Sequence, residues 1–256
     1  MEYGYIIAGF IVGLLVGLTG VGGGSLMTPI LVLIFHVKPA FAVGTDLLYA
    51  SITKSVGIFA HGKLGNIDWK MVRLLAYGSI PAAIATTLYL KNADIASDAS
   101  VSTIKFWLGI ALIITSFSVL FRNQLASFAK NEHLINAKYV PAFTVILGLI
   151  LGFLVTLTSV GAGALGVTAL LILYPKVPIN TIVGSDIAHA VPLTLVAGLG
   201  HASIGTVDYS LLGTLLIGSI PGIYLGSHLT AKVAEHWVRI ALALILIFVG
   251  LKLVFH

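Results

Sequence analysis

The chain has 256 residues, of which 58% are hydrophobic and 9% charged, with no cysteine and a formal net charge of +5. Soluble domains carry charge on about a quarter of their positions, so this sequence has too little charge to solvate the surface of a water-soluble globule. The numbers exclude a disordered chain and a disulfide scaffold, and they make a soluble enzyme improbable. The pI of about 9.4 does not mark a nucleic-acid binder, because the basic residues lie scattered between apolar runs. What remains is an all-α polytopic membrane protein.

The apolar runs in chain order are 3–18, 25–36, 40–60, 69–90, 102–121, 138–155, 164–174, 179–200, 209–230 and 236–255. A run of about 20 residues at 1.5 Å per residue matches a hydrocarbon core of about 30 Å. Leu, Ile, Val and Ala fill the runs without the alternation of a barrel strand, and lipid cannot satisfy an open sheet edge, so the runs are expected as helices. Two of them, 25–36 and 164–174, are too short to cross, at roughly 17–18 Å. Each follows a glycine-rich break, Thr19–Gly24 and Thr158–Gly163. A short run behind such a break in both halves of a chain points to a transporter's binding site near the membrane midplane. The opening Met-Glu-Tyr-Gly lacks a basic n-region and a cleavage pattern, so the first run is expected to stay in the mature protein.

The sequence is duplicated. Val16–Gly24 is echoed by Val155–Gly163, Val43-Gly-Thr-Asp46 by Val183-Gly-Ser-Asp186, and His61–Trp69 by His201–Tyr209, while Gly78-Ser-Ile-Pro81 recurs as Gly218-Ser-Ile-Pro221. The offset is 139 residues for the first echo and 140 for the others, a one-residue slip near Pro178. Ordered echoes of this kind mark an internal repeat. They divide the chain into a first transmembrane repeat (1–121), a polar linker (122–138) and a second repeat (139–256).

Five segments per half, an odd number, predict two inverted repeats. The loops carrying Lys63, Lys70, Arg73, the linker, Lys176, Lys232 and Arg239 then share one face. Glu2, Lys38, Lys91, Lys105 and Asp208 share the other. The basic excess makes the first face cytoplasmic and puts both termini outside. This holds whether 3–36 and 138–174 are spanning pairs or re-entrant hairpins; a single crossing by 3–36 would make the repeats parallel.

Several residues can carry chemistry. Around the breaks, Thr19, Gly22, Gly23, Gly24 and Ser25 in the first half and Thr158, Ser159, Gly161 and Gly163 in the second combine glycine's freedom with hydroxyl donors at a helix start. There successive amides can converge on a small oxyanion. The alternative is close helix packing by small residues. A dinucleotide fingerprint would need a strand before these glycines, which flanking membrane helices deny.

Four ionisable residues lie within the runs: Asp46, Lys54, Asp186 and His189. A charge at such depth costs about 3 kcal/mol on insertion scales and reads first as functional. Lys54 has Thr194 as its repeat counterpart and can supply the positive charge an anion needs, or can bind carbonyls at a helix break. Asp46 and Asp186 are repeat mates, candidates for proton coupling or simply for bonding nearby backbone. His189 lies one turn beyond Asp186, where an Asp–His relay is possible, with a satisfied core histidine as the alternative. His61 and His201 end their helices and read as structural, with Asp68 and Asp208 as N-caps for the helices that follow. Pro81 and Pro221 are expected to kink their helices.

The ordered set of motifs resembles the TauE/SafE family of sulfite exporters and organosulfonate permeases, over nearly the whole chain. The resemblance rests on Gly17-Leu-Thr-Gly-Val-Gly-Gly-Gly24, Val43-Gly-Thr-Asp-Leu47, His61-x-x-x-Gly-x-Ile-Asp-Trp69 and their second-half counterparts. It implies a bacterial or archaeal plasma-membrane transporter for small sulfur-containing anions, with proton coupling and alternating access. The second break departs from the glycine-rich pattern at Ser159 and Ala162. The expected partners are a small anion and the lipid bilayer, with a homodimer as the expected assembly; no nucleic acid, cofactor or metal is expected. A passive anion channel is the alternative function. An intramembrane enzyme is disfavoured because the runs hold no nucleophile–base pair or HExxH spacing.

Overall fold

The computed structural model describes residues 2–19, 24–63, 65–93, 97–132, 136–229 and 235–255. Among these residues the chain forms helices and connecting turns and no strand. The elements are α1 (Glu2–Thr19), α2 (Gly24–Leu33), α3 (Pro39–Lys63), α4 (Trp69–Asn92), α5 (Asp98–Glu132), α6 (Val140–Thr158), α7 (Ala164–Leu173), α8 (Ile179–Ser203), α9 (Tyr209–Leu229) and α10 (Glu235–Phe255).

Their starts follow from local chemistry. Pro39 opens α3, and Pro141 sits in the first turn of α6, where a missing N–H costs nothing. Asp68 caps α4 by accepting from the amides of Lys70 at 2.9 Å and Met71 at 3.1 Å, and Asp208 accepts from Leu211 N at 2.9 Å, as the sequence predicts. Both α4 and α9 continue as helix through Pro81 and Pro221.

Five of the described helices are long and apolar enough to cross a bilayer: α4, the first 25 residues of α5, α6, α8 and the first 18 residues of α9. Helices α2 and α7 have 10 residues each, about 15 Å, so neither crosses by itself. The one large departure from the predicted spans is α5. It runs 35 residues to Glu132, so the stretch read as the start of the linker continues the helix, and its first residue, Arg122, is only 7% exposed.

Apolar side chains such as Tyr77, Leu88, Ile220, Tyr224 and Phe248 face outward, whereas Asp46, Lys54, Asp186 and His189 are buried. This polarity suits a lipid surround. One apolar cluster joins α1, α2, α3, α5, α9 and α10 through Val12, Met27, Tyr49, Leu112, Leu215 and Leu246. Another joins α4, α6, α7 and α8 through Met71, Leu75, Leu151, Leu170 and Ile182. Each cluster encloses one of the short helices.

Packing is reciprocal between the halves. The first helix of each repeat lies against the fourth helix of the other. A side chain at Gly9 or Gly13 would strike the carbonyls of Leu215 or Ser219; at the repeat mates Gly148 and Gly152 it would strike those of Leu75 and Ser79. Gly78 meets Val145 O, as Gly218 meets Ile6 O. These contacts reproduce the sequence offsets, 139 on the α1/α6 side and 140 on the α4/α9 side. A Gly218→Ala change should therefore destabilise the fold by about 1–3 kcal/mol, the usual cost of overpacking. Gly213, on the same helix, has open space around it, and Gly213→Ala should be neutral or stabilising by up to about 1 kcal/mol. Thermal unfolding in detergent compares the two; equal midpoints would show that the backbone contact carries no weight.

Candidate functional site

The buried polar residues converge where α3 and α8 meet the second glycine-rich break. The break begins at Ser159, which ends α6 in the left-handed region at φ 59°, and includes Gly161 at φ 120° and Gly163 at φ 132°. The positive φ at both glycines turns the chain back into α7, whose start has no capping side chain. Thr158 spends its hydroxyl locally, donating to Leu154 O at 2.6 Å and accepting from Val160 N at 3.1 Å. Ser159 is buried, with its hydroxyl beside the Asp46 carboxylate.

Lys54 crosses from the first repeat to this break. Its ammonium donates to the carbonyl of Ala162 at 2.6 Å and has both Asp46 and Asp186 as electrostatic neighbours. The sequence left open whether Lys54 serves a ligand or holds carbonyls at a broken helix; the carbonyl contact is present, at the position where the break departs from glycine.

The two repeat-related acids sit in different surroundings. Asp46 Oδ2 accepts from the Thr28 hydroxyl at 2.6 Å and the Thr28 amide at 3.2 Å, which ties α3 to the short helix α2. The residue matching Thr28 in the second half is Val167, with no hydroxyl. Neither carboxylate oxygen of Asp186 has a hydrogen-bond partner. That carboxylate lies flat against Gly166, where any side chain would collide with Oδ1, and its charged neighbours are Lys54 and Arg122.

No hydrogen bond joins Asp186 to His189. The imidazole Nε2 instead pairs with Ser79 Oγ at 2.7 Å, and Nδ1 has no partner. The repeat mates of this pair, Tyr49 and Ser219, are likewise neighbours. His201 is held structurally, with Nδ1 paired to Thr206 Oγ1 at 2.8 Å and Nε2 to the carbonyl of Thr156 at 2.9 Å. Gly22 and Gly23 lie outside the described residues, as do the side chains of Thr19, Ser25 and His61; Gly24 opens α2. Thr28, Ser79 and Arg122 belong to this centre and were not singled out from the sequence. Only Ser79 had a signal there, in the repeated Gly-Ser-Ile-Pro motif.

Two clefts open near the ends of α3 and α8. The larger, about 710 Å³, is lined by Lys70 and Lys176 together with Asp68, Asn136 and Tyr174. Burial raises the Tyr174 phenol above its ordinary titration range, so it stays a neutral hydroxyl, paired with Thr144 Oγ1 at 2.8 Å. The smaller, about 430 Å³, is lined by Lys38 and Lys91 with Ser203 and Thr206. Two reciprocal hydrogen bonds cross between the halves nearby: Asp68 N donates to Ser185 Oγ at 2.8 Å, and Asp208 N to Thr45 Oγ1 at 3.0 Å.

An apolar helical shell around a buried, charge-bearing break in the backbone defines a polytopic membrane transporter rather than a soluble protein. The chain belongs to the sulfite exporter TauE/SafE family, whose profile matches residues 5–253. It is 40% identical over 256 residues to the probable membrane transporter protein YjnA of Bacillus subtilis (strain 168), covering 99% of this chain and all of that one. A probable membrane transporter protein of Methanocaldococcus jannaschii is 31% identical, with 96% of this chain and 92% of that one covered. YdhB of Bacillus subtilis (strain 168), of the same description, is 27% identical over 98% of this chain and 99% of its own. No solved structure matches the chain.

Proposed function

We propose that the protein carries small sulfur-containing oxyanions such as sulfite or a sulfonate across the plasma membrane by proton-coupled alternating access. The observation that carries this reading is Lys54, a buried ammonium held on the Ala162 carbonyl between two acids at a glycine-rich break. An ammonium has three N–H donors, and the bond to Ala162 uses one. The rest of its capacity, with the Ser159 hydroxyl and the uncapped start of α7, suits a compact anion stripped of water.

Proton coupling follows from charge balance. Among the described residues the buried charges are Asp46, Asp186, Lys54 and Arg122, two of each sign. A monoanion entering that set leaves one negative charge in excess in a medium that penalises it, unless a proton enters with it. Asp186, with both oxygens unpartnered, is the acid suited to take it.

Inverted repeats are supported by the ends of α3 and α8, and the basic excess on one face favours that face as cytoplasmic with both termini outside. Ala40, at the start of α3, lines the same cleft as Ser203 at the end of α8, whereas Val177, just before α8, lines the other cleft with Asp68. The sulfur substrate class is taken from the family's name; the relatives' names specify none.

Flux of labelled sulfite into proteoliposomes tests the reading. Saturation, counterflow and accumulation driven by an imposed pH gradient are expected. Downhill flux without counterflow would make the protein a passive channel, and absence of sulfite flux alongside flux of another anion would overturn the substrate class.

A further inference from the structure

The bonds from Asp68 N to Ser185 Oγ and from Asp208 N to Thr45 Oγ1 satisfy the N-cap amides of α4 and α9 from the opposite half, and the two are repeat mates of one another. Each joins the N-cap residue of one helix to the hydroxyl residue directly before a buried aspartate of the other half, Asp186 in one case and Asp46 in the other. Both hydroxyl residues are fully buried. The donor side of each bond adjoins a cleft with two lysines at its wall, Lys70 and Lys176 in one, Lys38 and Lys91 in the other. Asp68 itself lines the larger cleft, and Thr206, two residues before Asp208, lines the smaller.

We propose that these clefts are the two anion vestibules of the transport path and that Ser185 and Thr45 are its two gates, each latched by one backbone amide of the opposite repeat. This rests on the transporter reading of the centre. The chemistry suits the role. A single neutral hydrogen bond contributes little net stability in proteins, so it can break and re-form without unfolding its neighbours. Paired lysines at a low-dielectric wall raise the local concentration of anions of any identity. Because each gate residue adjoins an aspartate of the centre, a charge change at that aspartate acts on the latch one residue away. Both latches are closed in this structure, which is the occluded arrangement that alternating access requires between its two open forms. Ser185 also donates to Thr181 O at 2.7 Å, so its hydroxyl keeps its orientation on α8 when the latch opens.

The natural absence of cysteine makes the test direct. Single variants Ser185→Cys and Thr45→Cys, reconstituted in proteoliposomes of known orientation, are exposed on one face at a time to membrane-impermeant methanethiosulfonates. One reagent is an anionic sulfonate and the other a cationic trimethylammonium, and the mass shift of the intact protein is followed. S185C should react only from the face of Lys70 and Lys176, and T45C only from the face of Lys38 and Lys91. The anionic reagent should react about tenfold faster, and K70Q with K176Q should abolish that preference at S185C, as expected for electrostatic focusing. Modification of both variants from one face, no modification of either folded variant, or a charge preference untouched by the lysine changes would overturn the proposal. If S185C does not fold, T45C decides by the same criterion. This labelling pattern in S185C and T45C, alongside wild-type protein that carries no sulfite, would overturn the substrate and leave the gates standing.

Discussion

Lys54→Met should abolish sulfite binding while keeping most of the packing of the lysine stem. A buried hydrogen bond to a charged group contributes about 1.5–3 kcal/mol, so losing the ammonium's bonds to a guest weakens affinity by roughly 100-fold or more. The loss should read out as the disappearance of the sulfite-induced rise in melting temperature, since a ligand stabilises only the state it binds. The same change strips Asp46 and Asp186 of a shared cation and Ala162 O of its donor, and breaking a buried charge set costs about 3–5 kcal/mol. Ligand-free melting should therefore fall as well. The two effects separate with Lys54→Arg, which keeps the charge but replaces a point ammonium by a planar fork. It should recover stability more fully than affinity. Binding of sulfite to folded Lys54→Met within about twofold of wild type would reduce Lys54 to a structural residue tying α3 to the break.

Much of this was legible in the sequence, and the exceptions have physical causes. The short helices α2 and α7 could be read because glycine breaks and run length fix them without tertiary information. The N-caps Asp68 and Asp208 could be read because a cap is a local bond. The length of α5 could not: hydropathy falls at Arg122, but Gln124, Lys130 and Glu132 are good helix formers, so the end of an apolar run was not the end of a helix. Arg122 consequently looked like a linker residue although it is buried beside Asp186. The lacing of α1 onto α9 and of α6 onto α4 was invisible for a different reason. A repeat reveals which segments correspond, but which copy packs on which is decided only by surfaces meeting in three dimensions. Thr28 was missed because the repeat comparison sets it against Val167, where a hydroxyl has no echo to draw attention to it.

That same mismatch breaks the symmetry of the centre in a way that assigns different work to the two acids. Asp46 is anchored to α2 through Oδ2 by two bonds from Thr28, while its Oδ1 has no hydrogen-bond partner. Asp186 is confined by the bare backbone of Gly166 and bonded by nothing. A carboxylate with one oxygen held by two donors gains less from a proton than one with neither oxygen held. One that is buried and unpartnered changes its interaction with Lys54 and Arg122 sharply when it gains or loses one.

Asp186→Asn should accordingly uncouple transport from the proton gradient. Wild-type uptake is expected to rise several-fold when an inward pH gradient is imposed; uptake by Asp186→Asn should be flat with pH while sulfite counterflow, which needs no net proton movement, persists. Asp46→Asn should instead lower the melting temperature, because the Thr28 amide and hydroxyl lose a charged acceptor worth about 1.5–3 kcal/mol, and should leave the pH response of whatever protein folds intact. Gly166→Ala provides an independent check. Its added methyl displaces the Asp186 carboxylate without altering any titratable group, so it should blunt the pH response in proportion to the displacement. A pH response in Asp186→Asn equal to that of wild type, or one lost in Asp46→Asn alone, would transfer the coupling role to Asp46. The Thr28 bonds would then be the interaction that makes and breaks during transport.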